Sequence, residues 1–203
     1  MPRPRIAVVS GDWDQIQYAV LDKLKLKYTE YGGVTNDYGS GYEQAVDLLT
    51  DPNELAKYDV IFINCSDSAG QIVSSYGGTL KKTLDDFVKN GGSMYLSDYA
   101  ADYIMNTWPT YVQWGGHDVW GHQKVIGEII DPPLFAYLGN KSTVEIQYGL
   151  GPLQGVYGVD PATTMVHVQG FFKQDQYNDT LPMMVSFKPY PKGGRVVYTN
   201  FHN

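Results

Sequence analysis

Tyr58 to Ser97 reads YDVIFINCSDSAGQIVSSYGGTLKKTLDDFVKNGGSMYLS, and the order of patterns in it decides the fold. Asp59 to Asn64 (DVIFIN) is a short continuous apolar run, as expected of a strand buried on both faces. Behind it, Leu80, Leu84, Phe87 and Val88 recur at helical spacing, with Thr79 placed to cap the helix and Gly91-Gly92 to end it. Ser93 to Ser97 then resumes a strand. A strand, a helix and a second strand imply a right-handed crossover in a parallel sheet.

The same unit recurs towards the N-terminus. Arg5 to Ser10 (RIAVVS) is a buried-strand run ending at Gly11, and Ile16, Ala19, Val20 and Leu24 follow at helical spacing. Asp12 or Asp14 sits where an N-cap carboxylate would accept backbone N–H groups. Tyr42 to Leu49 predicts another helix, stopped at Asp51-Pro52, with a second strand read less clearly around Tyr28 to Tyr31. The second half changes character: Val144 to Tyr148, Thr164 to Gln169, Met183 to Phe187 and Arg195 to Phe201 are strand-like runs separated by Gly, Pro and Asn. The expected architecture is α/β: a doubly wound, mainly parallel, flavodoxin-like sheet with an added antiparallel or mixed β section, returning a final strand to the main sheet. The whole chain, 1–203, is read as a single domain.

Composition limits the partners. The 15 basic and 22 acidic residues give a formal charge of −7, which repels nucleic-acid phosphates and anionic membrane surfaces. The densest basic groups, Lys81-Lys82 and Lys23, Lys25, Lys27, read as solvated helix faces or ends. No run approaches the roughly 20 apolar residues that span a bilayer. A single cysteine, Cys65, excludes an intrachain disulfide and a thiolate zinc cluster. Neither nucleic acid, nor membrane, nor cofactor is expected; a small-molecule or glycan ligand, a protein partner or a homo-oligomer is.

In open parallel sheets ligands bind beyond the carboxyl ends of the strands, where loops converge. Those ends supply Ser10, Gly11 and Asp12 after the first strand, Cys65, Ser66 and Asp67 after the next long one, Ser97 and Asp98 after the strand that follows, and His202 after the last. Asp12, Asp67 and Asp98 have the chemistry of a hard-cation site, but each has a simpler reading as a helix cap, so no metal is assigned. Thr107 to His122 (TWPTYVQWGGHDVWGH) interleaves Trp108, Tyr111, Trp114 and Trp120 with Gly and His. It reads either as a carbohydrate-stacking platform, with Trp114 and Trp120 as ligand contacts, or as an aromatic contact between protomers. His117 and His122 are not at a recognised ligand spacing.

Three segments, Tyr58 to Asn64, Leu84 to Leu96 (LDDFVKNGGSMYL) and the closing Gly193 to His202 (GGRVVYTNFH), resemble the class I glutamine amidotransferase-like superfamily, nearest its trehalose-utilisation-like branch. The resemblance implies a nucleophilic cysteine after the fourth strand, a late histidine following Phe, and oxyanion-binding N–H groups after the third strand. His202 follows Phe201 as that pattern asks. At the nucleophile's place stand Ser97 and Asp98, while Cys65 falls near the oxyanion loop, and the sequence ends at Asn203 before the acidic partner's position. Glutamine hydrolysis by the usual triad is therefore not expected. The first expectation is a diverged, noncatalytic domain binding a small ligand, such as a sugar, or a protein partner at the sheet's carboxyl edge. The alternatives are a hydrolase using Ser97 or Asp98 with His202, and a self-assembly module built on the aromatic loop.

Overall fold

The structure is a computed structural model that describes residues 3–34, 41–115, 119–120, 123–149, 152–173 and 178–201, the side chains of 119, 120 and 152 excepted. Its contacts divide into two compact units, one of 1–109 and 188–196 and one of 110–187 and 197–201.

The first unit holds β1 (Ile6–Val9), β2 (Thr29–Tyr31), α1 (Glu43–Thr50), α2 (Pro52–Leu55), β3 (Val60–Ile63), α3 (Ser68–Lys89), β4 (Ser93–Ser97) and α4 (Ala101–Thr107). β1 pairs in parallel with both β2 and β3, and β3 with β4, so Val8 lies opposite Phe62 and Phe62 opposite Tyr95. Strand alternation puts Ile6, Val8, Phe62 and Tyr95 on one face, packed with Ile16 and Leu21. Ala7, Val9, Ile61, Ile63, Met94 and Leu96, on the other, are all buried. This explains why the strands read as unbroken apolar runs. Met94 N–H bonds to the carbonyl of Arg195, so the segment that enters the last strand runs beside β4.

Two helical expectations need correction. The segment after β1 is one turn of π-helix, Gln17–Leu21, whose N-cap is Ile16 and not Asp12 or Asp14; Val20 within it and Leu24 beyond it are exposed. The long helix starts at Ser68, eleven residues before Thr79. Gly70, Gly77 and Gly78, residues that ordinarily break helices, lie inside it. At Gly70 and Gly77 an added Cβ would come within 3.0 Å of Asp102 and Asn106 side-chain oxygens, and Asn106 Nδ2 donates to Gly77 O at 2.9 Å. Close packing on α4 thus offsets glycine's poor helix propensity, which is only about 1 kcal/mol. Gly91, at φ +103°, ends the helix as expected.

The second unit is largely β: β5 (Val112–Trp114), β6 (Val119–Trp120), β7 (Gln123–Ile129), α5 (Pro132–Tyr137), β8 (Thr143–Tyr148), β9 (Pro152–Leu153), β10 (Val156–Val159), β11 (Thr164–Phe172), β12 (Asp179–Phe187) and most of β13 (Val196–Thr199). β8, β7, β11 and β12 pair antiparallel in that order. Val125, Ile129, Tyr148, Val168, Phe172, Leu181 and Met183 form their core. Beyond β13, Asn200 is anchored by its N–H to Met183 O and by Tyr148 Oη to its Oδ1 at 2.8 Å. The molecule is mixed α/β, with parallel strands in one unit and the expected antiparallel section in the other.

Candidate functional site

Gly11, Gly33 and the β3 end bring three loops of the first unit together. A Cβ on Gly11 would lie 2.1 Å from Cys65 O, and one on Gly33 would lie 2.2 Å from Ser10 O, so only glycine permits these approaches. The backbone N–H of Trp13 then reaches Cys65 O at 3.3 Å. Gly11 thus acts here by its small size.

Two hydroxyl–carboxylate groups sit at the strand ends. Ser66 Oγ donates to Asp12 Oδ2 at 2.8 Å and accepts from Ser68 N–H at 3.2 Å, while Ser68 Oγ donates to Gly33 O. Ser66, not Asp67, therefore serves the first turn of α3; Asp67 makes no capping bond and accepts from the Trp13 indole at 3.4 Å. In the second group, Ser97 Oγ donates to Asp14 Oδ2 at 2.5 Å and accepts from Cys65 N–H at 3.0 Å. Ser97 and Asp14 are buried, and the serine's proton is held by a carboxylate.

β4 ends in a strand-to-helix turn, and its turning residue is Asp98. Asp98 has φ +44°, where a non-glycine residue stores about 1 kcal/mol or more, and it is buried. The N-cap positions of the two helical segments that follow are Ser97 and Ala100, neither with a side-chain cap bond, so Asp98 does not stand at the cap position the sequence reading gave it. A sharp turn of this kind at the end of a strand is where many hydrolases display a nucleophile. Here it displays a carboxylate. Ser97, one residue earlier, has ordinary extended backbone at φ −119°.

Cys65 donates its thiol proton to Asp98 Oδ2 at 3.6 Å and is 1% exposed. Burial, and then the Asp98 charge, push its thiol far above the ordinary cysteine range. A thiolate nucleophile is disfavoured at neutral pH. Among the described residues no group of three or more His, Cys, Asp or Glu side chains could hold a metal ion.

Asp12 also lines an open cavity of about 370 Å³ with Trp13, Gln15, Tyr18, Ala19 and Lys23. Trp13 and Tyr18 are about half exposed, at 45% and 50%. Glu30 accepts from Tyr18 Oη at 3.4 Å and from Gln17 Nε2 at 3.0 Å, and Gln17 Oε1 accepts from Asn64 Nδ2 at 2.8 Å. Sequence reasoning gives Trp13 and Tyr18 no role. Their signal is nonetheless there: two aromatics and an acid directly after the first strand.

The aromatic stretch 107–122 is differently placed. Trp108 is buried in the first unit and donates to Asp85 Oδ1 at 2.8 Å. In the second unit Tyr111 stacks on Phe187 at 4.5 Å, and Trp114 meets Tyr198 edge-on at 4.9 Å. His202, His117, Asp118 and His122 lie outside the described residues, as does the Trp120 side chain.

Comparison with known proteins places the fold. No protein-family model matches the sequence. No curated protein matches it either. Among solved structures, a ThuA-like protein of Bacteroides uniformis is similar at TM-score 0.60 and 14% identity, over 98% of this chain and 82% of that one. A GMP synthase protein of Thermoplasma acidophilum is similar at 0.61 and 15%, over 100% and 85%. The chain has the class I glutamine amidotransferase-like fold. A glutamine amidotransferase of Thermotoga maritima agrees at 0.55 and 10% identity, over 100% of this chain and 76% of that one. The resemblance read from Tyr58 to Asn64, Leu84 to Leu96 and Gly193 to His202 is borne out as fold. Such low identity speaks for fold alone, and in the amidotransferase-like frame of this chain the residue at the turn after β4 is aspartate.

Proposed function

We propose that this protein is a diverged amidotransferase-like domain, spanning 1–203 with a doubly wound sheet, that binds a small polyhydroxylated ligand noncatalytically at the carboxyl edge of its parallel strands. One observation carries the reading. Asp12 belongs both to the Ser66 cluster and to the wall of the cavity flanked by exposed Trp13 and Tyr18. Aromatic faces stack on the C–H surfaces of a sugar ring, and Asp12, Gln15 and Lys23 supply acceptors and donors for its hydroxyls. Gly11, Cys65, Ser66 and Asp67 shape the loops behind that wall. The raised thiol of Cys65 and the absence of cysteine at the turn after β4 argue against glutamine hydrolysis.

A thermal-shift screen of neutral mono- and disaccharides tests it. A saccharide should raise the melting temperature of the wild type and leave W13A and D12N unmoved. Absence of a shift across the panel, or equal shifts in W13A, counts against the proposal.

The Asp98 backbone favours a second reading, a hydrolase in which Asp98, or Ser97, works with His202. Ser97 chemistry requires the hydroxyl to leave Asp14, so Asp98 is the stronger nucleophile candidate of the two. A carboxylate nucleophile takes an oxygen from water when its ester intermediate is hydrolysed. Single-turnover reaction in heavy-oxygen water should then label Asp98, and an unlabelled Asp98 after turnover removes this reading.

A further inference from the structure

The second unit contains a hydrogen-bonded Ser–His–Asp set that shares no residue with the strand-end cluster. His167 Nδ1 lies 2.8 Å from Asp131 Oδ2, and His167 Nε2 lies 2.7 Å from Ser186 Oγ. The ionised carboxylate can only accept, so in the neutral imidazole Nδ1 carries the proton and Nε2 is left to accept from the Ser186 hydroxyl. That is the proton arrangement an activated serine requires: the base holds the hydroxyl proton, and the third group fixes the tautomer.

Local structure aims the three side chains at one another. β11 pairs Val166 with Val185 and Val168 with Met184, so His167 is the extra residue of a bulge, a device that re-aims one side chain. Its carbonyl accepts from Ile130 N–H at 3.0 Å, which brings the next residue, Asp131, alongside. Asp131 precedes Pro132-Pro133 and is held extended at φ −88°, ψ 113°, as the residue before proline must be. A long-range polar set of this kind, two of its members within strands, is costly to bury, because each member must satisfy the others. Packing alone would be served by apolar residues at these positions.

The set lies just beneath the surface. Asp131 and His167 are 8% and 9% exposed, and Ser186 is 1% exposed. Ser186 of β12 is paired directly with Met165 of β11, and residues so paired share a face of the sheet. Met165, its partner on that face, is 50% exposed and carries a flexible, unbranched side chain.

We propose that Ser186 is the nucleophile of an acyl-transfer site for esters of small carboxylic acids, with His167 as general base and Asp131 as the residue that positions it. As Ser186 Oγ bonds to the ester carbonyl carbon, its proton passes to His167 Nε2. The carbon–oxygen bond to the leaving alcohol breaks, and that alcohol takes the proton from Nε2. Water then adds to the acyl-serine, gives its proton to Nε2, and the carboxylic acid departs as Ser186 recovers its hydrogen. Ester and water become acid and alcohol.

The test treats the folded full chain with a fluorophosphonate probe and with p-nitrophenyl acetate, and maps adducts by peptide mass spectrometry. Adduct on Ser186 is expected, absent in S186A and slowed about a hundredfold in H167N, the usual range for losing a general base. D131N should slow labelling while its melting curve stays that of a folded protein. No adduct on Ser186 in the wild type, or equal rates in wild type and H167N, overturns the proposal. Because wild-type labelling is read directly, a variant that fails to fold leaves the test intact, and saccharide binding at Trp13 is independent of either result.

Discussion

Replacing Gly11 with alanine probes how tightly the β1 and β3 loops are drawn together. The added methyl would sit 2.1 Å from Cys65 O, 2.8 Å from Asn64 Cβ and 2.9 Å from Cys65 C. Two of these three are backbone atoms, so no rotamer change relieves the overlap and the loops must part. Overpacking against rigid surroundings costs about 1 to 3 kcal/mol, and the backbone contact places this site at the upper end. For a chain of 203 residues, 3 kcal/mol corresponds to a melting temperature lower by about 6 to 12 °C. Gly78→Ala is the control: its Cβ would meet nothing within 4 Å inside α3, so a gain of about 0.5 to 1 kcal/mol is expected. Differential scanning calorimetry of both variants decides. Equal melting temperatures for G11A and the wild type would refute the close-approach argument and the loop geometry built on it.

Other expectations follow from the same cluster and from the surface. Cys65 should resist iodoacetamide at neutral pH in the native protein and react fully once unfolded, because its thiol is buried and held protonated; rapid native alkylation read by intact mass would contradict this. Ser97→Ala strands the Cys65 N–H and removes a bond to the Asp14 carboxylate, so denaturant unfolding should report a loss of about 3 kcal/mol. Asp59 is held down at about 2 by the Arg5 guanidinium, hydrogen-bonded at 2.8 Å. Because its folded value is depressed, the pair stabilises above the unfolded carboxyl range near 4 and that contribution is lost as pH falls towards 2. The effect is small, since both side chains are about half exposed and solvent-screened. The stability difference between wild type and D59N should therefore shrink between about pH 4 and pH 2, and a constant difference would exclude the pair as its source.

Much of the parallel sheet was legible because buried strands must be apolar on both faces, as DVIFIN and RIAVVS are. The start of α3 was not, since Gly70 and Gly77 are tolerated only through packing on α4, a tertiary contact that propensity does not record. Asp12, Ser66, Cys65, Ser97 and Asp98, read from the strand ends, lie in one unit, and their bonding there depends on hydroxyl partners and on one positive φ. Tyr18 was hidden by reading its segment as a regular helix, whereas it lies half exposed on a single π-turn, and Trp13 lies in the loop ahead of that turn. Asp131, His167 and Ser186 are far apart in sequence and meet only because a bulge turns His167 towards both others.

The most direct measurement is the indole N–H region of the nuclear magnetic resonance spectrum, where the four tryptophans give separate signals. Titrated with the saccharide that gives the largest thermal shift, the Trp13 signal should move to saturation while that of buried Trp108 stays fixed. Movement of the Trp114 or Trp120 signal with Trp13 unmoved, or no movement at all, would contradict a ligand site at the carboxyl edge of these strands.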